Sequence, residues 1–494
     1  MKNLLYIISL CGLLTACDLQ EEPYGFYSDD NFYKSETDAE SGLLYAYNAL
    51  TFLEYSRGIF YIGDIPTETM SPKSDEAGDV YQLENWIANR ETEQLQYYFK
   101  YCYIAINRAN TVIDHIQNSS VLSETARRRI LGEAYFLRAW NYFNLVRTFG
   151  IVPVQTKMVA ELSQTTPPMA TGLDQLYDLI LGDLARADNL LEVNKVFGRA
   201  DKVAAQSLMA KAYLTIASSK EHNVHRYTEM RREPQIMYDS AAYWAGKVVR
   251  DYKNVYDFDT NLRDIYDVDK PTGPEHIFIM PIDRSGTQEG NYSKLPLLFL
   301  PSNNSVPFYI RYGNGDLQRA NGNGWGVFLC NDEFVETQFS TTDKRRTELI
   351  HRDIYDASGN PIVPNQVKGY FSSKYVDPDF IGERTSARPY LIRFSDIALV
   401  YAEAAGPEAG LAYVNRIRER AGVTPLPSGM TTDKFREAVI KERALELAFE
   451  GNRLYDLRRT ASVTTTDIKA AGLSEAEAAY YPIPQREIDL NPNL

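Results

Sequence analysis

Apolar side chains recur at helical spacing along most of the chain, and this pattern predicts a mainly helical protein. Within residues 125–149, steps of 100° per residue place Leu131, Tyr135 and Tyr142 on one face, and Phe136 and Trp140 on the opposite face. A helix that is apolar on two faces is covered on two sides, as in a stack of helical pairs. The same periodicity predicts helices at residues 37–52, 173–191, 199–217, 239–251, 390–405, 410–421 and 432–459.

Signals for helix ends support some of these boundaries. Thr37 and Glu40 have the spacing of a capping box, which would begin the first helix. Gly150, followed by Pro153, would end the helix at 125–149.

Two long segments lack a helical period. Residues 56–90 mix glycine, proline and charged side chains and are predicted to form a loop, whereas 253–389 contain one strand-like run at 275–280 and a stretch rich in Gly, Asn and Pro at 284–326. The organisation predicted is a single domain over residues 37–494. Its helical scaffold would cover about 37–55, 92–252 and 390–460, and its irregular, ligand-binding part about 56–90 and 253–389.

The N-terminus has the pattern of an exported lipoprotein. A short apolar run after Lys2 is typical of a secretory signal and is too short to span a bilayer. It ends on Leu14-Thr15-Ala16-Cys17, which resembles a bacterial lipobox. We therefore expect a signal peptide at residues 1–16, lipid attachment at Cys17, and an acidic tether at 17–36. The alternative is an ordinary signal peptide that happens to contain a cysteine.

Composition narrows the function classes. The formal charge of −14 repels phosphate backbones, which argues against nucleic-acid binding. Cys102 and Cys330 lack CxxC or histidine spacing, and the five histidines form no ligand motif, so neither a metal nor another cofactor is expected. The 35 tyrosines are unusual, because tyrosine joins a large apolar ring to a polar tip and suits binding surfaces.

Charged residues within the helical faces allow two interpretations. Arg138, Glu442, Glu446 and Arg453 fall on otherwise apolar faces, where an unpaired charge is very costly. They could form a structural ion network, or the glutamates could be a glycosidase-like acid and base. The ion network is favoured, because arginines accompany nearly every carboxylate and would keep both ionised, whereas a general acid needs a raised pKa.

Several long motifs resemble the SusD/RagB family of outer-membrane nutrient-binding lipoproteins of the Bacteroidota. They occur in the family's order, at residues 132–150 (GEAYFLRAWNYFNLVRTFG), 198–205, 388–396, 401–404, 414–422, 442–458 (ERALELAFEGNRLYDLR), 482–484 and 491–494. The resemblance implies a right-handed stack of TPR-like helical pairs that supports an irregular half with few short strands. It also implies a partner, a SusC-like TonB-dependent outer-membrane transporter that receives glycans or, in some branches, peptides. The protein would then be anchored by lipid and exposed at the cell surface.

The leading functional hypothesis is a glycan-binding protein without catalytic activity. Sugar rings stack on aromatic side chains, and aromatics free to do so should come from segments without periodicity. The candidates are Tyr81, Trp86 and Asn89 in the first irregular segment and Tyr292, Tyr309, Arg311, Tyr312 and Trp325 in the second. For each tyrosine a packing role is at least as good an explanation, and the two tryptophans are the favoured stacking platforms.

Two alternatives remain open at this point. A peptide-binding member of the same family fits the same motifs. A surface enzyme acting on polysaccharide fits less well, because the sequence has no nucleophile elbow, no HExxH motif and no Gly-rich phosphate loop.

Overall fold

The computed structural model describes residues 32–75, 78–284, 293–362, 369–382 and 384–494. The predicted signal peptide, Cys17, most of the predicted tether and Tyr292 lie outside the described residues. Within these ranges no helix combines the length and the apolar character that a bilayer crossing requires.

Helices dominate the described residues. The α-helices are α1 Glu36–Asn48, α2 Leu53–Gly63, α3 Asp79–Glu84, α4 Glu93–Ile116, α5 Glu124–Phe149, α6 Leu173–Leu190, α7 Lys202–Glu221, α8 Pro234–Asp251, α9 Leu295–Phe299, α10 Asp332–Gln338, α11 Lys344–Leu349, α12 Phe394–Ala405, α13 Pro407–Arg420, α14 Thr432–Glu446, α15 Arg453–Arg459, α16 Val463–Thr466, α17 Glu475–Ala479 and α18 Gln485–Leu490.

The long helices form a continuous scaffold. From α4 to α8 each helix packs on the next one in the chain, and α8 then packs on α12, which packs on α13. Helix α5 is buried on nearly all sides, as its two apolar faces predict. The mainly helical, TPR-like fold class expected from the sequence is confirmed.

The strands are short and pair two by two in antiparallel fashion. β1 pairs with β5, β2 with β8, β3 with β4 and β6 with β7. Their bounds are β1 Met70–Pro72, β2 His276–Ile279, β3 Phe308–Arg311, β4 Leu317–Ala320, β5 Phe328–Cys330, β6 Ile350–His351, β7 Phe371–Ser372 and β8 Tyr390–Arg393. The β1–β5 pair joins the two irregular segments, with Met70 opposite Cys330.

Residues 56–90 are not one loop, contrary to the prediction. Helix α2 covers most of the first part and buries Tyr55, Phe60 and Ile62. Its glycines, which favour a loop in the sequence, allow close packing. A Cβ on Gly63 would lie 2.3 Å from the carbonyl oxygen of Gly451. The loop prediction failed because glycine is used both in loops and at positions where two backbones pack closely.

The helix predicted at 432–459 is two helices. Helix α14 ends at Glu446, and the chain turns through Phe449 and Gly451, both with positive φ, before α15. Buried Asp64 accepts a hydrogen bond of 2.6 Å from the Gly451 amide, so a contact distant in sequence stabilises the turn. Glu450 also lies in this turn, and not in the helix.

Two smaller boundaries also differ. The first helix is capped two residues earlier than predicted: the Ser35 hydroxyl accepts from the Asp38 amide, and the Asp38 carboxylate accepts from the Ser35 amide. Residues 390–393, predicted to be helical, form strand β8.

Candidate functional site

Trp325 is the exposed one of the two predicted tryptophans, with 46% of its surface accessible to solvent. It lies in the loop between β4 and β5. Its amide donates to the Leu297 carbonyl at 2.6 Å, and the Lys294 ammonium lies 5.5 Å from the ring centroid. A cation at this distance interacts favourably with the ring, and the outer face of an exposed indole is a large flat apolar surface.

Two glycines hold this loop in place. Cβ atoms built on Gly322 and Gly324 would lie 2.0 Å from the carbonyl oxygens of Val306 and Leu300, respectively. Residues 321–326 therefore lie directly against residues 300–306, too close for larger side chains. Trp325 lies between glycines and projects from a backbone fixed on both sides.

The same two loops also carry polar side chains. Asn304, Ser305 and Asn323 are exposed. Asn321 donates a hydrogen bond to the Phe380 carbonyl at 3.1 Å and so ties the loop to the next segment. An exposed indole beside amides and hydroxyls is the combination that sugar recognition needs, because the ring covers a C–H face while the polar groups bind hydroxyls.

Trp86 does not form an exposed platform, contrary to the prediction. It is only 8% exposed, stacks on Tyr481 with ring centroids 6.1 Å apart, and donates from Nε1 to Asp467 at 3.2 Å. Its backbone has a positive φ of 56°. The structure therefore assigns the indole a packing role.

Of the two other predicted residues near Trp86, one is available to a ligand and the other has a structural role. Tyr81 on α3 is 52% exposed and so remains accessible to a ligand. Asn89 is exposed, but its side-chain oxygen accepts from the Glu91 amide and closes the turn that precedes α4.

The remaining predicted residues belong to the β3–β4 hairpin. Tyr309 is half-buried. The Arg311 guanidinium stacks on Tyr355 at 4.2 Å and donates to the Gly359 carbonyl. Tyr312 is buried beside Arg263, and burial raises the pKa of its hydroxyl to about 12. Arg311 and Tyr312 thus brace the hairpin, and the residues left for ligand contact are Trp325, Tyr81 and part of Tyr309.

A cleft of about 790 Å³, which no local sequence pattern predicts, lies between α14 and the β1–β5 pair. Its lining includes Glu68, Ser71, Asn331, Lys441, Arg453 and Asp467. Asn331 donates to the Ser71 hydroxyl at 3.0 Å, which holds the two irregular segments together at the rim. Asp467 lines this cleft and accepts a hydrogen bond from Trp86, so the buried indole supports the cleft wall.

Arg453 and Glu68 form an ion pair in the cleft wall, with Nε 2.7 Å from Oε1. Arg453 Nη1 and Glu68 Oε2 have no hydrogen-bond partner among the described protein atoms. Both atoms are buried, so the ion pair forms part of the cleft wall while these two atoms are turned away from solvent. No local signal marks this site, because its walls come from segments almost 400 residues apart.

The predicted ion network is confirmed for three of its four members. Arg138 is buried and makes two bonds to Asp183, at 2.7 and 2.8 Å. Buried Glu442 accepts from Arg345 and Arg418, and buried Glu446 accepts from Arg393 and Arg420. Arg453 is paired but partly exposed at the cleft.

Electrostatics in this network oppose acid catalysis. Burial tends to raise the pKa of Glu275, but Arg420 and Arg393 outweigh it and hold that pKa at about 2. Glu450 is likewise held below its usual pKa by Arg393 and Lys374. Carboxylates that stay ionised are structural counter-ions, not proton donors.

Neither a metal nor a thiol site is found in the described part of the chain. No cluster of three or more His, Cys, Asp or Glu side chains there has metal-binding geometry. Cys102 and Cys330 are free and buried, and burial raises the pKa of both thiols.

Comparison with known proteins identifies the fold. The SusD-like protein P38 of Formosa agariphila is 26% identical, over 99% of this chain and 97% of its own. A SusD homolog from Bacteroides thetaiotaomicron has a TM-score of 0.76 at 20% identity, covering 95% of this chain and 98% of its own. A laminarin-binding SusD-like protein has a TM-score of 0.73 at 23% identity, covering 93% of this chain and 98% of its own.

Two family models match different parts of the sequence. Residues 33–214 match a family described as starch-binding and associating with the outer membrane, and residues 353–494 match the SusD family. Together they span both ends of the helical scaffold and agree with the full-length relatives. The chain is therefore a non-catalytic member of the SusD/RagB family.

Proposed function

We propose that this protein captures an oligosaccharide at the cell surface and passes it to a SusC-like TonB-dependent transporter in the outer membrane. The observation that carries the glycan assignment is Trp325, an exposed indole in a closely packed loop that also carries exposed amide side chains. Relatives with the same fold support it, one of which is described as laminarin-binding. A neutral glycan also carries no charge that a protein of net charge −14 would repel.

A glycan and peptide array probed with the soluble protein tests the ligand class. We expect binding to one family of oligosaccharides. Binding to peptides alone would instead support the second candidate, a peptide-binding protein, which the charged Glu68–Arg453 pair in the cleft favours. Binding to neither class would refute both.

The lipid anchor is proposed at Cys17. We expect Cys17→Ala to move the protein from the membrane fraction to the soluble fraction, because several acyl chains would be lost. Cys11, inside the predicted signal peptide, provides a matched control, and Cys11→Ala should leave the protein in the membrane fraction. Membrane association that survives the loss of Cys17 would place the anchor elsewhere.

The transporter is proposed as the partner in the outer membrane. Affinity purification of the tagged protein from detergent-solubilised membranes should recover a TonB-dependent transporter in a fixed stoichiometry. Recovery of the binding protein alone, from membranes that contain the transporter, would contradict this part of the proposal.

A further inference from the structure

Helices α1 and α4 share a partly exposed face of aromatic and cationic side chains. Tyr97, Tyr101 and Arg108 follow one another at helical spacing along one side of α4, over about 16 Å. Tyr45 on α1 is 58% exposed, and Leu44 beside it is 49% exposed. This surface, the α1–α4 face, consists of Tyr45, Phe52, Tyr97, Lys100, Tyr101 and Arg108.

Rings and cations on the α1–α4 face contact one another in a row. The Arg108 guanidinium lies 3.6 Å from the ring centroid of Tyr45 and 5.3 Å from that of Phe52. The rings of Phe52 and Tyr101 have centroids 5.0 Å apart, and Lys100 Nζ lies 5.3 Å from the Tyr101 centroid. Arg108 also donates to the Tyr45 carbonyl at 2.9 Å. These contacts pre-order the side chains, so little conformational freedom is lost when a partner binds.

Neither cation of the α1–α4 face forms an ion pair within the described residues. No carboxylate there lies within 4 Å of Lys100 Nζ or of the Arg108 nitrogens. Glu93, in the first turn of α4, accepts from the Tyr97 hydroxyl at 2.7 Å instead. Partial burial lowers the pKa of the Arg108 guanidinium, because no carboxylate offsets the loss of hydration. The face therefore carries positive charge that the described protein does not neutralise locally.

The N-terminal end of the described chain lies beside this face. Tyr33 stacks on His115 with ring centroids 4.5 Å apart. His115 is on α4, about 10 Å beyond Arg108 along the helix axis. A chain as long as that from the proposed lipid site at Cys17 to Tyr33 reaches at most about 55 Å. The anchor would therefore keep the α1–α4 face near the outer membrane and its proteins.

We propose that the α1–α4 face docks on the transporter, against acidic side chains of its extracellular surface. This inference rests on the transporter partnership proposed above and adds the surface that makes the contact. Tyr, Phe and Arg are enriched in protein interfaces, and unpaired cations favour a partner surface of opposite charge. An anionic lipid surface is a poorer occupant, because it would repel the rest of a chain with net charge −14.

Affinity purification of the tagged, full-length protein from detergent-solubilised membranes tests the surface. The variant Tyr45→Ala/Lys100→Glu removes one ring and reverses one charge, and both side chains are exposed, so the fold should persist. We expect this variant to recover at least about tenfold less transporter than the parent, as for the loss of interface anchor residues. Its glycan affinity in calorimetry should equal that of the parent, because Trp325 is unchanged.

Tyr243→Ala/Lys247→Glu is the matched control. Tyr243 on α8 is 54% exposed, and Lys247 Nζ lies 5.2 Å from its ring centroid. The control should recover as much transporter as the parent. Equal recovery by Tyr45→Ala/Lys100→Glu would overturn the proposed surface and leave the partnership intact, whereas a parent that recovers no transporter would refute both. Flotation of the Cys17→Ala protein with phosphatidylglycerol vesicles, lost when Tyr45→Ala/Lys100→Glu is added, would assign the face to lipid and also overturn the inference.

Discussion

Glu446 belongs to a buried cluster in which the charges balance. Its salt bridges link five carboxylates, of Glu275, Asp343, Glu442, Glu446 and Glu450, with five cations, of Arg345, Lys374, Arg393, Arg418 and Arg420. Glu446 Oε1 lies 2.6 Å from Arg420 and 3.2 Å from Arg393. Glu446→Gln keeps the shape of the side chain and leaves the cluster with one unbalanced positive charge.

We expect this substitution to lower the free energy of unfolding by about 3–5 kcal/mol, the scale for stranding a buried charge. The lower end applies, because Arg420 keeps Glu275 as a partner and Arg393 keeps Glu275 and Glu450. Denaturant unfolding followed by circular dichroism measures the change. Glu437→Gln, on the exposed side of the same helix, is the matched control and should change stability by less than about 0.5 kcal/mol. If Glu446→Gln unfolds with the parent, the carboxylate contributes nothing and the network argument is wrong.

Trp86→Ala should lower the free energy of unfolding by about 3–5 kcal/mol, as expected for a buried aromatic, whereas Trp325→Ala should leave it almost unchanged; equal losses in a melting experiment would contradict the assigned burial. Gly324→Ala should abolish glycan binding while the protein stays folded, because the added Cβ would lie 2.0 Å from the Leu300 carbonyl oxygen; calorimetry showing normal affinity would refute the close approach. Burial raises the pKa of Asp64 to about 7 from its usual 3.8. Between these two values the folded state binds more protons than the unfolded state. The free energy of unfolding should therefore fall as pH rises from 4 to 7, by at most about 1.4 kcal/mol per pH unit. Denaturation at several pH values should show that Asp64→Asn removes this part of the dependence, and an identical pH profile in the variant would refute it.

The scaffold was predictable because its determinants are local. Apolar spacing sets the faces of α5, α6 and α7, and neighbouring helices then pack on those faces. The failures occur where distant contacts override the local pattern. The turn at Phe449 and Gly451 is one case, because its partner Asp64 is 387 residues away in sequence.

The candidate site was predictable only in part. The run of Asn and Gly around Trp325 indicates an exposed loop, and the indole is exposed. The surroundings of Trp86 look similar in sequence, but its partners Tyr481 and Asp467 come from the other end of the chain, and they bury it. The cleft at Glu68 and Arg453 could not be predicted for the same reason, because residues from distant parts of the sequence form its walls.

Calorimetry on Trp325→Ala, with the best oligosaccharide from the array, tests the central claim most directly. We expect the substitution to weaken binding by about 1–2 kcal/mol, roughly tenfold in Kd, because one aromatic stacking contact is lost. Tyr243→Ala is the matched control, since Tyr243 is an equally exposed aromatic, at 54%, on scaffold helix α8, and its affinity should equal that of the parent. Unchanged affinity in Trp325→Ala, with the fold preserved, would contradict the placement of the glycan site at this loop.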